Sequence, residues 1–139
     1  MNLSRREALV LALGSVAAAA IPMQALASVD EAIAAFTGGA EVSNGPGITL
    51  TAPEIAENGN TVPVAVSAPG ASAILVLATG NPTPSVATFH FGELAGSQSA
   101  STRIRLSKTQ DVVAIAKLAD GTFARTSAEV KVTIGGCGG

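Results

Sequence analysis

The sequence predicts an all-β protein, an antiparallel β-sandwich that is preceded by a short helix and followed by a flexible tail. About seven apolar segments of 4–8 residues are separated by turn residues, a spacing typical of sandwich strands. No long segment of helical period alternates with them, which argues against an α/β sheet. Trp and Tyr are absent, so the core must be built from aliphatic side chains and a few phenylalanines.

The helix is predicted just before the first strand. Ser28-Val29-Asp30-Glu31 reads as a capping box, in which the first hydroxyl and the last side chain bond each other's backbone amides. Val29, Ile33 and Phe36 fall on one apolar stripe. Gly38-Gly39 then supplies the left-handed residues that end a helix.

The strands follow from alternating apolar residues. Asn58-Gly59 and Asp120-Gly121 are predicted turns. Pro63 cannot donate a ladder hydrogen bond, so we expect it at an edge or a bulge. The segment 73–78 is apolar on both faces and is expected in the middle of the protein. The predicted strands are 48–51, 62–66, 73–78, 86–91, 102–106, 111–118 and 128–134, with a further short strand at 122–125 left open.

The first 27 residues are interpreted as an export signal of the twin-arginine type, with Arg5 and Arg6 as its recognition residues. An uncharged apolar run at 8–21 follows, shorter than the ~18–20 residues that span a bilayer. Ala25-Leu26-Ala27 is a small-x-small cleavage site. Ala8 and Val10 depart from the twin-arginine pattern, so the general secretory route stays open. We therefore expect a periplasmic protein.

Cleavage after Ala27 would leave 139 − 27 = 112 residues, a size suited to one domain, predicted at 28–134. The full chain has 8 basic and 10 acidic residues. Without Arg5, Arg6 and Glu7 these become 6 and 9, a net charge of −3. Arg103 and Arg105 are the only close basic pair. They alternate with apolar residues, which is typical of the solvent-facing side of a strand. This charge distribution excludes a nucleic-acid footprint.

The tail at 135–139 reads Gly-Gly-Cys-Gly-Gly, and Cys137 is the only cysteine. Exported proteins meet an oxidising compartment, where structural cysteines come in pairs. A single cysteine therefore indicates a reactive thiol or an intermolecular disulfide. Gly135, Gly136, Gly138 and Gly139 leave the backbone around it free and without neighbouring side chains.

The sequence gives little support for metal binding, for catalysis by a thiol–histidine pair or for phosphate binding. His90 is the only histidine, so no metal cluster is expected, and its position on a strand predicts a solvent-facing side chain. A mobile glycine tail cannot hold a thiol against a catalytic histidine. Gly45-Pro46-Gly47 is a turn and not a phosphate-binding loop. We expect no cofactor, no metal and no catalytic residue.

The surroundings of Cys137 indicate a carrier. No cationic side chain lies within the last seven residues, so nothing local activates the thiol. Three residues beyond Ile134, at ~3.4 Å each, extend the sulfur by roughly 10 Å from the last strand. Such a tail can present the thiol to the sites of other proteins, which then activate it.

Two other classes stay open at this point. Ubiquitin-like sulfur carriers end in Gly-Gly, as Gly138-Gly139 does, and use the terminal carboxylate. Their chemistry is cytoplasmic and ATP-dependent, which conflicts with an export signal. An exported sandwich module that dimerises through a tail disulfide would also explain one cysteine.

The residues Val132 to Gly139 resemble the carboxyl-terminal arm of the SoxY family, the sulfur carriers of the periplasmic thiosulfate-oxidising Sox system. The resemblance extends to the twin-arginine signal, the opening helix at 29–32, Gly38-Gly39 and the segment 52–59. It covers essentially the whole chain. The expected fold is therefore an immunoglobulin-like sandwich in architecture, without a disulfide pin.

The resemblance implies a covalent carrier and not an enzyme. Cys137 matches the family's carrier cysteine, and Gly135, Gly136, Gly138 and Gly139 match its flanking glycines. The implied partner is SoxZ, in a heterodimer, for which an apolar sheet face within 62–118 is the expected interface. The implied transient partners are SoxAX, a haem c enzyme that conjugates thiosulfate to the cysteine, the hydrolase SoxB and, where present, a sulfane dehydrogenase.

Overall fold

A computed structural model of the chain describes residues 24–134. They form two sheets packed face to face, which confirms the predicted immunoglobulin-like sandwich. The elements in these residues are the helix α1 (Gln24–Thr37) and the strands β1 (Val42–Asn44), β2 (Thr49–Thr51), β3 (Ile55–Ala56), β4 (Val62–Ser67), β5 (Ala73–Ala78), β6 (Ser85–His90), β7 (Ser99–Ile104), β8 (Gln110–Lys117) and β9 (Phe123–Val132).

The larger sheet has the strand order β1-β9-β8-β5-β6, with β3 beside the end of β9, and the smaller sheet has the order β2-β4-β7. Neighbouring strands are antiparallel except β1 and β3, which each pair with β9 in parallel. These two short strands were not predicted. With three and two residues, they carry no alternation that a sequence could reveal.

Strand β5 occupies the middle of the molecule, as predicted, and all six of its side chains are buried. Ile74 and Val76 point into the core between the two sheets. Leu75 and Leu77 point to the opposite face of the larger sheet. Both faces of β5 are covered because the smaller sheet lies on one and α1 on the other, which explains the uninterrupted apolar run.

Helix α1 packs across the outer face of the larger sheet through its predicted stripe of Val29, Ile33 and Phe36. The Phe36 and Phe123 rings meet edge to face, with centroids 5.8 Å apart and planes at 70°. Gly38 and Gly39 end the helix with φ values of 65° and 86°, as predicted. The start of the helix differs from the prediction, because the helix begins at Gln24 and not at Ser28. Ser28 therefore lies inside it and is not the N-cap.

Most strand boundaries shift by one or two residues from the sequence prediction, and two strands differ more. β7 begins at Ser99, three residues before the predicted start, because Ser99-Ala100-Ser101 pairs with β4 although it is only weakly apolar. The segments 122–125 and 128–134 form the single strand β9. Thr126 and Ser127, which fell between the two predicted strands, keep their ladder pairing with β8.

Pro63 lies in β4, the middle strand of the smaller sheet. Strand β2 pairs only with residues 65–67 of β4, so Pro63 stands beyond its end. One side of β4 is unpaired there, and the missing N–H of proline leaves no gap in the ladder. Pro63 therefore lies at a local edge of the sheet, although β4 is the middle strand.

None of the helical residues that the structure describes forms a segment long and apolar enough to cross a membrane.

Candidate functional site

The candidate site is the end of the sandwich from which the tail departs. Cys137 and its flanking glycines Gly135, Gly136, Gly138 and Gly139 lie outside the described residues. The signal residues Arg5 and Arg6 lie outside them as well. The structure does describe the chain up to Ile134, three residues before the cysteine. The part of the site that the structure describes is therefore the base of the arm, residues 131–134.

One side of the arm base is held by β3. Ile55 pairs with Lys131 and Ala56 with Val132. The Lys131 N–H donates to the Glu54 carbonyl at 2.9 Å, and the Thr133 N–H donates to the Ala56 carbonyl at 3.1 Å. The parallel ladder thus continues past the end of β9 and fixes the backbone to Thr133.

The turn at Asn58-Gly59 holds the last described residue. The Gly59 N–H donates to the Ile134 carbonyl at 2.9 Å, and the Gly59 carbonyl accepts from the Leu106 N–H at 2.7 Å. Gly59 is buried. The Thr133 hydroxyl adds a 3.3 Å bond to the Glu57 carbonyl. Residues 54–59, which the sequence predicted only to contain a turn, therefore hold the base of the arm.

The other side of the arm base is held by Thr109. Strand β8 begins at Gln110, opposite Val130, so its backbone does not reach Val132. The Thr109 hydroxyl accepts a hydrogen bond from the Val132 N–H at 2.9 Å and takes the place of the missing ladder carbonyl. Sequence reasoning missed this residue, since nothing in a Lys-Thr-Gln segment indicates contact with a strand 23 residues later.

The loop that carries Thr109 is fixed by a polar network around Gln110, whose side chain is 7% exposed. Its Nε2 donates to the Lys108 carbonyl and to Asn81 Oδ1, both at 2.9 Å. Its Oε1 accepts from the Gly80 N–H at 2.9 Å. Asn81 in turn bonds the Ser107 N–H and the Arg105 carbonyl. The network ties two loops together at the end where the arm leaves.

A groove of about 570 Å³ lies on the smaller sheet. Its lining includes Pro53, Pro63 and Ala65, with Ser101 and Arg103 at the other side. The outward residues of β4 and β7 are exposed or half-buried here. This is the open sheet face within 62–118, and its lining combines small apolar residues with hydroxyls and the Arg103 guanidinium.

Metal chemistry has no support among residues 24–134, which contain no group of three or more His, Cys, Asp or Glu side chains able to hold an ion. His90 is exposed at the end of β6, as predicted. Arg103 and Arg105 are exposed while Ile104 and Leu106 are buried, which confirms the predicted alternation.

A family model described as "Sulfur oxidation protein SoxY" matches residues 33–137. Among solved structures, the sulfur carrier protein SoxY from Chlorobium limicola f thiosulfatophilum is 38% identical. The match covers 78% of this chain and 99% of that one, with a TM-score of 0.67. This chain belongs to the SoxY family. The membership confirms the family resemblance that was seen in the sequence.

More distant structures share the sandwich fold of the SoxY family. A superoxide reductase (neelaredoxin) from Ignicoccus hospitalis is 18% identical, with a TM-score of 0.54, covering 61% of this chain and 79% of that one. The hypothetical protein PH1083 from Pyrococcus horikoshii is 15% identical, with a TM-score of 0.52, covering 65% and 96%. At these identities the likeness shows the fold alone. A comparison with curated proteins found no match.

Proposed function

We propose that this protein is a covalent carrier of thiosulfate-derived sulfur, with Cys137 as the attachment site. The observation that carries the proposal is the family match, which runs as far as residue 137 and so includes this cysteine. The similarity to a sulfur carrier over 99% of that chain supports the same role. The Gly59 N–H holds the Ile134 carbonyl, and Cys137 follows three positions later in the sequence, so the attachment site lies close to the fixed end of the sandwich.

The proposed chemistry begins with an oxidation. The Cys137 thiolate and the sulfane sulfur of thiosulfate form a disulfide bond, and the two electrons released pass to the haem c of SoxAX. The product is a cysteine S-thiosulfonate. SoxB then hydrolyses the bond between the sulfane sulfur and the sulfonate group with one water, which releases sulfate and leaves a cysteine persulfide. A sulfane dehydrogenase, where present, oxidises the remaining sulfur.

The protein itself contributes no catalytic group to these steps. We propose that its role is to present the sulfur, and that partner enzymes supply the redox centre and the hydrolytic site. The flanking Gly135, Gly136, Gly138 and Gly139 let a backbone without Cβ atoms enter a narrow channel. SoxZ is the proposed stable partner, in a heterodimer, and co-purification of the two chains tests this; a monomeric protein in the presence of SoxZ would contradict it.

The test of the carrier role is the variant Cys137→Ser in a reconstituted thiosulfate-oxidising system. We expect loss of thiosulfate-dependent turnover, because serine cannot form the disulfide, with an unchanged circular dichroism spectrum. The matched control is Ser127→Ala, a small change at an exposed position of β9, which should retain turnover. Turnover retained by Cys137→Ser would overturn the proposal.

We also propose export to the periplasm by the twin-arginine route, with residues 1–27 as the signal. The proposal rests on Arg5 and Arg6 followed by the apolar run and the Ala25-Leu26-Ala27 site. Amino-terminal sequencing of the periplasmic protein should give Ser28, and replacement of both arginines by lysine should leave the precursor in the cytoplasm. Export of the doubly substituted precursor at the normal rate would contradict the twin-arginine route.

A further inference from the structure

The end of β9 is held by more hydrogen bonds than a strand end needs. Successive amides of an extended strand point to opposite sides. The Lys131 and Thr133 amides donate to the backbone of residues 54–56, and the Val132 amide donates to Thr109 on the opposite side. The Ile134 carbonyl, the last group before the arm, accepts from Gly59. Every residue from 131 to 134 is thus fixed by a neighbouring segment.

Thr109 provides a hydrogen-bond acceptor at a place where strand pairing provides none. Strand β8 stops short of Val132, so on that side the ladder would leave an unpaired amide and a frayed end. A threonine hydroxyl fills the gap with a 2.9 Å bond. Its side chain is exposed, so it adds little to the core, and the hydrogen bond is its evident contribution.

The position of Thr109 is enforced by the residues on either side of it. The buried Gln110 amide bonds the Lys108 carbonyl, which closes the backbone around Thr109. The same amide bonds Asn81, whose side chain also holds Ser107. Among the described residues no buried side-chain polar atom lacks a partner. A fully satisfied network of this kind holds a loop in one conformation.

The length of the free tether depends on this arrangement. With Ile134 held, the tether has three residues, 135–137, of which the last is the thiol-bearing Cys137. If 131–134 detach, the tether has seven residues. For a flexible chain the spread of positions grows as the square root of length, so it would widen about 1.5-fold and the accessible volume would grow about fourfold. The effective concentration of the thiol at a docked partner's site would fall by the same factor.

We propose that residues 54–59 and Thr109 form an arm anchor, which fixes the point from which the carrier arm swings, and that Thr109 is a positioning residue for Cys137. The functional part of this inference rests on the proposed carrier function, in which Cys137 carries the sulfur. The anchor keeps the tether short, so that a partner bound to the sandwich meets the sulfur at high local concentration. The anchor fixes the backbone as far as Ile134 and so limits the tether of Cys137 to residues 135–137.

The test measures the spread of arm positions without any sulfur chemistry. Spin labels are placed on Cys137 and on a Thr49→Cys substitution, at an exposed position on β2 in the other sheet, and their distance distribution is recorded by pulsed electron resonance. We expect Thr109→Val to widen the distribution by up to about 1.5-fold, because valine keeps the shape but cannot accept the Val132 N–H bond. Thr109→Ser should restore the narrow distribution.

The matched control is Thr122→Val, which removes a hydroxyl hydrogen bond at the β8–β9 turn, at the opposite end of β9. It should leave the distribution unchanged. Equal distributions for Thr109→Val and the parent, or equal widening by both valine variants, would overturn the anchor. Should Thr109→Val not fold, amide exchange in the parent protein decides: slow exchange at Val132 and Thr133 supports the anchor, and exchange at unprotected rates contradicts it.

The outcomes separate the anchor from the carrier role. Suppose that the spin-label distance distribution is narrow and depends on Thr109, but that no sulfur adduct forms on Cys137. The anchor would then be supported and the carrier function rejected. Retained conjugation at Cys137 with a distribution insensitive to Thr109 would reject the anchor alone.

Discussion

The side chain of Asp120 illustrates how much a single turn residue controls. Its Oδ1 accepts hydrogen bonds from the Thr122 hydroxyl at 2.6 Å and from the Thr122 N–H at 3.0 Å. These bonds favour the ionised carboxylate, and they lower the pKa of Asp120 below its ordinary value of 3.8, the hydroxyl bond more than the backbone bond. The pair stabilises the Asp120-Gly121 hairpin, where Gly121 has φ 83°.

We expect Thr122→Val to raise the pKa of Asp120 toward its ordinary value, because the largest cause of the shift is removed and the backbone bond remains. Since the folded pKa lies below the unfolded one, the turn's contribution to stability is present above the ordinary pKa and is lost as pH falls through the folded pKa. The variant should therefore lose less stability across that acidic range. Titration of the Asp120 carboxyl carbon by nuclear magnetic resonance measures the shift, and an unchanged pKa would refute the assignment.

Among the secondary-structure elements, α1 depends on the residues that end it. Gly38 has φ 65° and its N–H donates to the Ala34 carbonyl at 2.8 Å, so the chain turns away from the helix in the left-handed region. This reversal leads the chain into β1, which pairs with the start of β9. The helix can then lie across the larger sheet with Phe36 against Phe123.

Gly38→Ala should lower the free energy of unfolding by about 1 kcal/mol, because a Cβ is disfavoured at this φ although no atom lies within 4 Å of it. Gly92→Ala is the matched control, since the position is equally open and its φ is not in the left-handed region. It should cause no loss of stability. Urea denaturation compares the two, and equal effects would contradict the left-handed requirement.

Sequence periodicity predicted the elements with a strong pattern and missed those held by pairing alone. The continuous apolar run of β5 was sufficient to place that strand, and the alternation around Ile104 correctly predicted which side chains there are buried. β1 and β3 were missed because their two or three residues gain stability from β9, which follows about eighty residues later in the chain. The predicted N-cap at Ser28 was wrong because the helix continues upstream to Gln24.

At the scale of the whole molecule, the sandwich is a rigid support whose two ends differ. At one end the β8–β9 hairpin closes with Asp120 and Thr122. At the other, the end of β9 is held between residues 54–59 and Thr109. In the proposed carrier function, fixing the backbone as far as Ile134 would raise the local concentration of the thiol at a docked partner's site.

The sequence alone suggests a chemistry for the candidate site, but it gives no sign of the contacts that hold the base of the arm. A single cysteine between glycines pointed to a carrier without any structural information. The contacts that hold the arm base join Ala56 to Thr133 and Thr109 to Val132. Contacts between such distant residues are set by the strand order of the larger sheet, in which β9 lies between β3 and β8, and no local pattern in the sequence encodes them.

The central claim is that sulfur is attached to the Cys137 thiol. The most direct test is mass spectrometry of the purified protein, intact and as peptides, after reaction with thiosulfate and the haem c partner, with and without reductant. The account predicts an adduct on the peptide containing Cys137, removed by reductant and absent from Cys137→Ser. An adduct on the Gly139 carboxylate that survives Cys137→Ser, or a disulfide-linked dimer as the sole product, would contradict it.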